Sequence, residues 1–189
     1  MNFVHGHPYV SISLGLSYNS RPAVGVVYNP FYHHLYTAAP GKGAFFEDFR
    51  GRRSLPLTDP APPLGTLCDS LILVEWGKER EGINWETTTE TFKNLGSKNG
   101  GMVHDLRTFG GAALNLCTVA SGAIDLCWGG GWDPWDVCAG WAILLEAGGR
   151  MANGNPSETT AEPLVDGKKY LAGIAPIPPR SDAYCGRLY

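Results

Sequence analysis

The hydrophobic pattern of the chain changes after residue 57, and this change constrains the fold more than any other feature. In the first part, Ile12, Leu14 and Leu16 alternate with small or polar residues, a period of two that is typical of a half-buried strand. In the second part, short apolar runs alternate with segments of helical spacing. A Pro-rich stretch, residues 59–63, separates the two parts. We therefore predict an α/β protein in which an α+β meander domain (residues 1–62) precedes an α/β domain with a mixed sheet (residues 63–189).

The individual elements follow from these patterns and from the turn residues between them. Asn19, Pro30 and the Gly- and Pro-containing residues 40–43 interrupt the strands of the meander. Gly148 and Gly149 follow the last helical segment and are typical of a helix C-terminus. The patterns predict strands at residues 10–18, 23–28, 34–39, 44–46, 70–74, 123–128, 150–152 and 170–174, and helices at residues 85–95, 110–120 and 136–147.

The composition excludes several classes of protein. The 189 residues include 15 basic and 18 acidic side chains, and the net charge of −3 does not indicate nucleic-acid binding. The longest strongly apolar stretch, residues 139–145, is far shorter than the ~20 residues of a membrane span, and the N-terminus lacks a signal-peptide pattern. The five cysteines contain no CxxC pair, which indicates reduced thiols. We expect a cytoplasmic protein that binds neither nucleic acid nor membrane.

Two aspartates, Asp133 and Asp136, follow a Gly-rich loop (residues 129–131) at the predicted entrance of the third helix. Aspartate at a helix start commonly caps the helix, because its carboxylate accepts backbone N–H groups and complements the helix dipole. Carboxylates at strand ends also bind Mg²⁺ beside a phosphate. A metal site needs further ligands from elsewhere in the chain, so the local sequence leaves both interpretations open.

A second candidate site is the small-residue segment Gly110, Gly111 and Ala112 at the predicted start of the second helix. Where bulky side chains are absent, the free N–H groups of a helix N-terminus are accessible to an anion. Close helix packing also requires glycine and alanine, and this alternative stays open. The segment is neither a GxGxxG nor a Walker A loop, so it does not indicate a nucleotide site.

Several motifs occur in order along the chain. Residues 135–140 (W-D-V-C-A-G) and 145–149 (L-E-A-G-G) resemble W-D-x-A-x-G followed by E-A-G-G, the C-terminal signature of the inositol monophosphatase family. Residues 2–8 (N-F-V-H-G-H-P) are similar to the segment that follows the family's other signature, D-P-x-D-G-T. Residues 41–45 and 103–108 also fit the family pattern. The resemblance extends over nearly the whole chain.

The resemblance implies a layered sugar-phosphatase fold and Mg²⁺-dependent hydrolysis of inositol monophosphates to inositol and phosphate. It implies that Asp136 binds the metal and that Gly110, Gly111 and Ala112 approach the phosphate and ring of this small-molecule substrate. Gly129 stands where the family often has an acidic residue that contacts inositol hydroxyls, and Asp133 is a candidate to replace that residue. For the full-length family form the resemblance implies a homodimer.

One departure from the family pattern changes what we expect of this chain. The family's water-activating glutamate and the acids of D-P-x-D-G-T precede the residue that corresponds to Asn2, so no catalytic residue is assigned here. We therefore expect an N-terminally truncated, nearly inactive chain whose meander exposes an apolar face or an open strand edge. The alternatives are a non-catalytic remnant of the family and a related phosphatase such as a bisphosphate nucleotidase.

Overall fold

A computed structural model describes residues 1–57, 65–154 and 163–174. The first part of the chain forms one antiparallel sheet whose five strands are adjacent in chain order, which confirms the predicted meander. The fifth strand was not predicted, and the fourth is longer than expected. The strands are β1 (Ile12–Tyr18), β2 (Arg21–Asn29), β3 (His34–Ala38), β4 (Ala44–Asp48) and β5 (Gly51–Ser54).

The first hairpin has a two-residue turn rather than the predicted four-residue one. Asn19 and Ser20 both have positive φ, 49° and 55°, which is the conformation of a type I′ turn. Tyr18 and Arg21 consequently pair directly. The sequence N-S therefore sets the register of β1 against β2.

The second part of the chain forms a mixed sheet of five strands, as predicted. In space the strands follow the order β7-β6-β8-β10-β9, with β6 parallel to both β7 and β8 and β10 antiparallel to both β8 and β9. The three-residue β7 was not predicted, because so short a strand has no recognisable period. The strands are β6 (Leu71–Val74), β7 (Asp105–Arg107), β8 (Leu126–Gly130), β9 (Arg150–Asn153) and β10 (Lys169–Gly173).

Three α-helices lie near their predicted positions, with shifted starts. They are α1 (Gly82–Gly96), α2 (Ala112–Ala120) and α3 (Pro134–Glu146). Helix α2 begins two residues later than predicted, and α3 begins two residues earlier. The start of α3 moves because Pro134, with its fixed φ, takes the first helical position and Asp133 becomes the N-cap. At the other end Gly148, with φ of +85°, terminates α3 as the sequence predicts.

Helices α2 and α3 pack between the two sheets, and α1 covers the other face of the second sheet. Glycines permit the close approach of β1 and β2 to α3. A Cβ at Gly25 would lie 2.2 Å from the carbonyl oxygen of Ala139, and one at Gly15 would lie 2.8 Å from Cys138. Gly140 likewise brings α3 against α2. The helix that carries Asp136 is therefore held tightly by both neighbours.

The alternation in β1 predicts the strand correctly, but the apolar side faces away from α3. Ile12, Leu14, Leu16 and Tyr18 are 57%, 64%, 60% and 74% exposed. The small residues on the opposite side of the strand, Gly15 among them, face α3 because the helix approaches too closely for larger side chains. Among the described residues β1 pairs only with β2, so the sheet has an open edge beside its exposed apolar face, as expected for the meander.

The predicted domain boundary stays a prediction. Its Pro-rich link, residues 59–63, lies outside the described residues, as does Cys185. The main hydrophobic core contains residues from both parts of the chain, such as Phe46 and Leu55 together with Leu116 and Ile143. Within the described ranges, no helix has the length and apolar character needed to cross a membrane.

Candidate active site

The candidate site lies at the carboxyl ends of the parallel strands β6 and β8 in the second sheet. The general rule for open α/β sheets places ligands outside the carboxyl ends of the parallel strands. Glu75 follows β6 directly, and Gly129 and Gly130 end β8. The N-termini of α2 and α3 follow at the same edge, because each helix comes after a strand that ends there. The fold thus brings together the two segments that the sequence singled out.

At the start of α3, the two aspartates form a capping box. The N–H group of Asp133 donates to Oδ2 of Asp136 at 2.9 Å, and the N–H group of Asp136 donates to the carbonyl of Asp133 at 2.9 Å. Asp136 is half-buried and lies in the first turn, where its negative charge complements the helix dipole. The capping interpretation of Asp136 is therefore confirmed, and among the described residues no hydrogen bond to the other carboxylate oxygen, Oδ1, is seen.

Asp133 has a different environment from Asp136. Its Oδ1 forms an ion pair with Nζ of Lys168, and the two side chains are 37% and 59% exposed. An exposed pair of this kind contributes about 0–1 kcal/mol to stability. Contact between Asp133 and a substrate hydroxyl stays a prediction, and the ion pair with Lys168 competes with it.

The segment before α2 is held by a carboxylate that sequence analysis did not single out. Oε1 of Glu75 accepts the N–H group of Gly110 at 2.9 Å and Nδ2 of Asn115 at 2.5 Å. Gly110 has φ of +82°, a left-handed conformation that favours glycine. One of the N–H groups predicted to meet a substrate anion therefore already donates to a carboxylate. Substrate contact by Gly111 and Ala112 stays a prediction.

A partly buried chain of hydrogen bonds fixes the position of Glu75. The hydroxyl group of Tyr9 donates to Oδ1 of Asn115 at 3.0 Å, and this orients the amide so that its NH₂ group faces Glu75. Asn115 is fully buried. Burial raises the pKa of Tyr9 well above its ordinary value, so its hydroxyl remains a proton donor. Asn2 joins the N-terminal loop to this network, since its Nδ2 donates to the carbonyls of Tyr9 and Phe109.

One sequence signal could have identified Glu75. It is the first polar residue after the continuous apolar run that predicts β6, and a carboxylate at the carboxyl end of a buried parallel strand is a candidate functional residue. The contact with Asn115 could not be read from the sequence, because 40 residues separate the two side chains.

Opposite Gly129, the site is closed by a tryptophan. A Cβ at position 129 would lie 2.0 Å from Cζ2 of Trp132, so the indole ring leaves no room for any side chain at this position. Trp132 is 7% exposed and stacks on Tyr170 with ring centroids 6.2 Å apart. The hydroxyl group of Tyr170 lies within hydrogen-bond distance of the carbonyls of residues 164, 165 and 167, which keeps the pair in place.

The cysteines near the site are not activated nucleophiles. Burial raises the pKa of the Cys138 thiol, and it raises that of Cys127 further, with an added contribution from the nearby Glu75 carboxylate. Both thiols therefore remain protonated at neutral pH. Cys68, Cys117, Cys127 and Cys138 are all free thiols, in agreement with the reduced state expected from the sequence.

Comparison with known proteins identifies the family. The family model described as the inositol monophosphatase family matches residues 1–176. The chain belongs to this family. Inositol monophosphatases are phosphoric monoester hydrolases, and Mg²⁺ dependence is the norm among them.

Relatives and solved structures agree with this assignment. Inositol monophosphatase 2 of Saccharomyces cerevisiae is 48% identical over 174 residues, which cover 90% of this chain and 56% of the yeast protein. Inositol monophosphatase 1 of the same yeast is 38% identical and covers 96% of this chain and 60% of its own length. Mycobacterium tuberculosis SuhB superposes with a TM-score of 0.74 at 30% identity, over 93% of this chain and 62% of SuhB. The chain thus spans 56–62% of the length of these three proteins.

The described residues alone do not form the Mg²⁺ site that the family implies. A hard divalent cation takes several oxygen ligands. No group of three or more His, Cys, Asp or Glu side chains in the described ranges is placed to hold a metal ion. Asp136 offers one carboxylate oxygen, and the first oxygen of Glu75 is taken by Gly110 and Asn115. Such a donor set is at most part of a metal site.

Proposed function

We propose that this chain forms part of the active site of a phosphatase that hydrolyses inositol monophosphates to inositol and phosphate. The observation that carries the proposal is the position of Asp136, which is half-buried and leads α3 at the carboxyl edge of β6 and β8. The 48% identity with a yeast inositol monophosphatase supports this substrate class, as does the fold shared with the inositol monophosphate-bound structure of SaIMPase-II (TM-score 0.66, 28% identity).

The residues of this chain would perform three tasks in that reaction. Asp136 would supply one carboxylate ligand to Mg²⁺, which, when bound, stabilises negative charge on a phosphoryl group. The N–H groups at the start of α2, near Gly111 and Ala112, would face the substrate, since the N-cap Gly111 supplies no side chain to cap them. Trp132 would exclude water and side chains from the space above Gly129. Cytoplasmic location and a homodimeric full-length form belong to this proposal as well.

We expect the 189-residue chain by itself to release phosphate from myo-inositol 1-phosphate far more slowly than ordinary enzymes, whose turnover is on the order of 1–10³ s⁻¹. The reason is that the described residues offer one candidate metal ligand where several are needed. Phosphate release with Mg²⁺ should be measured for this chain and for a fusion that places the N-terminal part of the yeast relative before Met1. The fusion should be active, with far-UV circular dichroism as the check on folding.

A second substrate class has one specific observation in its favour. SaIMPase-II has also been solved with 2′-AMP bound, and that structure superposes on this chain with a TM-score of 0.66 at 28% identity. The same assay should therefore include 2′-AMP. A fusion that hydrolyses only the nucleotide would favour a nucleotide phosphatase, whereas a folded fusion inactive on both substrates would favour a non-catalytic remnant and contradict the proposal.

A further inference from the structure

We infer that Glu75 is a specificity-determining residue that accepts a hydrogen bond from a hydroxyl group of the polyol part of the substrate. The inference rests on the proposed function and deepens it, since it assigns the sugar side of the site to a side chain that sequence analysis did not single out. Three features support this inference: the position of Glu75 directly after β6, the hydrogen bonds that hold its carboxylate, and the surroundings of Gly129.

The sheet register places Glu75 beside Gly129. Strands β6 and β8 pair in parallel up to Val74 opposite Trp128, so Glu75 and Gly129 come next on the two strands. Leu73 and Cys127, two residues earlier on each strand, both belong to the core that includes α2 and α3. Because strand side chains alternate between faces, Glu75 lies on that same face, and its contact with Asn115 of α2 agrees with this.

Only one oxygen of the Glu75 carboxylate accepts hydrogen bonds from the described residues, and these bonds hold the side chain in place. Both hydrogen bonds, from Gly110 and Asn115, go to Oε1. Among the described residues no hydrogen bond to Oε2 is seen, and Glu75 is only partly buried. A carboxylate fixed through one oxygen loses little conformational freedom when its other oxygen accepts a ligand hydroxyl.

Position 129, next to Glu75 on the adjacent strand, cannot provide a carboxylate for the substrate hydroxyl. Trp132 fills the space that any side chain at Gly129 would need. Asp133, the alternative carboxylate, is engaged by Lys168 on the exposed rim. Glu75 is therefore the carboxylate placed between the start of α2 and the wall formed by Trp132, and its negative charge favours a neutral hydroxyl donor there over a phosphate oxygen.

Binding of the two halves of the substrate, measured separately, tests the inference. The ¹⁵N-labelled 189-residue chain is titrated with myo-inositol and, in a second experiment, with inorganic phosphate, and the amide signals of Gly110 and Gly111 are followed by NMR. Glu75→Gln should weaken inositol binding about tenfold to a hundredfold, the range expected for a lost hydrogen bond to a charged group. Phosphate binding should not weaken, because a negative charge has been removed. Glu79→Gln, the same change at an exposed side chain four residues later, should alter neither.

Glu75→Asp provides a second variant that keeps the charge but withdraws the carboxylate by one methylene group. It too should weaken inositol binding selectively. Unchanged inositol binding in either folded variant would overturn the inference, and so would an equal loss of inositol and phosphate binding, which indicates collapse of the α2 loop. Absence of inositol binding by the wild-type chain would overturn it as well. None of these results bears on phosphate release by the fusion, so the inference and the proposed function fail separately.

Discussion

At the scale of single residues, a side chain in this site often has a structural and a chemical role at once. Asp136 is the clearest case, since its Oδ2 accepts the N–H group of Asp133 while Oδ1 has no hydrogen-bond partner within the described part of the chain. The sequence left capping and metal binding as alternatives, and the geometry shows that capping uses only one oxygen. The two roles can therefore be separated by a substitution that keeps the acceptor and removes the charge.

Asp136→Asn should lower the free energy of unfolding by only about 0.3–1 kcal/mol, because the amide oxygen can still accept the Asp133 N–H group and only the interaction with the helix dipole is lost. In the active fusion, the Mg²⁺ concentration for half-maximal rate should rise and the rate should collapse, since a hard cation requires the carboxylate. Urea unfolding and a Mg²⁺ titration measure the two effects.

Asp105→Asn is the matched control, because Asp105 begins β7 at the opposite edge of the sheet and its carboxylate pairs with Arg107. This variant should keep the Mg²⁺ dependence of the parent fusion. If Asp136→Asn also kept it, Asp136 would be a cap and not a ligand.

The contact between Gly129 and Trp132 gives a second prediction at this scale. Gly129→Ala should destabilise the chain by about 1–3 kcal/mol, the usual effect of overpacking, because its Cβ would overlap an indole ring that is itself held by Tyr170. Gly130→Ala is the control, since its Cβ would meet only ordinary contacts at 3.5 Å and beyond. Thermal unfolding of both variants checks this, and equal stabilities would show that Trp132 can move aside.

At the scale of elements, helix α3 connects the two halves of the molecule. Its N-terminus forms the site, its middle packs on β1, β2 and α2, and its last residue, Glu146, reaches the β3–β4 turn. The Glu146 carboxylate accepts the N–H groups of Gly41 at 3.0 Å and Gly43 at 2.9 Å. An acidic residue is unfavourable at a helix C-terminus, so these two charge-assisted hydrogen bonds explain its presence there.

Glu146→Ala should lower the free energy of unfolding by about 1–3 kcal/mol, because two backbone donors of the turn lose a charged acceptor. Glu146→Gln should lose less, since one amide oxygen can still accept. Urea unfolding measures both variants, with Glu86→Ala on the exposed surface of α1 as the control. An effect of Glu146→Ala no larger than that of the control would mean that water satisfies the turn equally well.

At the scale of the whole molecule, the described residues leave the apolar outer face of the first sheet exposed. Paired residues share a face, so the partly exposed Val24, Val26 and Tyr28 of β2 extend the exposed apolar row of β1. Exposed apolar area of this kind favours association, and the open edge of β1 adds unpaired backbone groups.

We expect the 189-residue chain to self-associate in a concentration-dependent manner through this face. The double variant Leu14→Thr/Leu16→Thr should shift the equilibrium towards monomer, because it removes apolar area while keeping residues that favour strands. Ile83→Thr in α1, where Ile83 is 73% exposed, is the control and should not shift it. Sedimentation velocity at several concentrations checks this, and a wild-type chain that stays monomeric throughout would contradict the prediction.

The order and type of most elements can be predicted from the sequence, because hydrophobic period, Gly and Pro positions and helix caps are properties of neighbouring residues. The hairpin at Asn19, the helix end at Gly148 and the aspartates before α3 are local features of this kind. The motifs and their order along the chain also indicated the family. Three features depend on the packing of distant segments: which face of β1 lies against α3, that Glu75 rather than a residue at 129 provides the carboxylate beside α2, and that Gly129 must lack a side chain. Each of these depends on how closely two distant segments approach, as with Gly15 and α3 or Glu75 and Asn115. Alternation shows that a strand has two unlike faces, but only the size of the space beside the neighbouring helix determines which of them faces that helix.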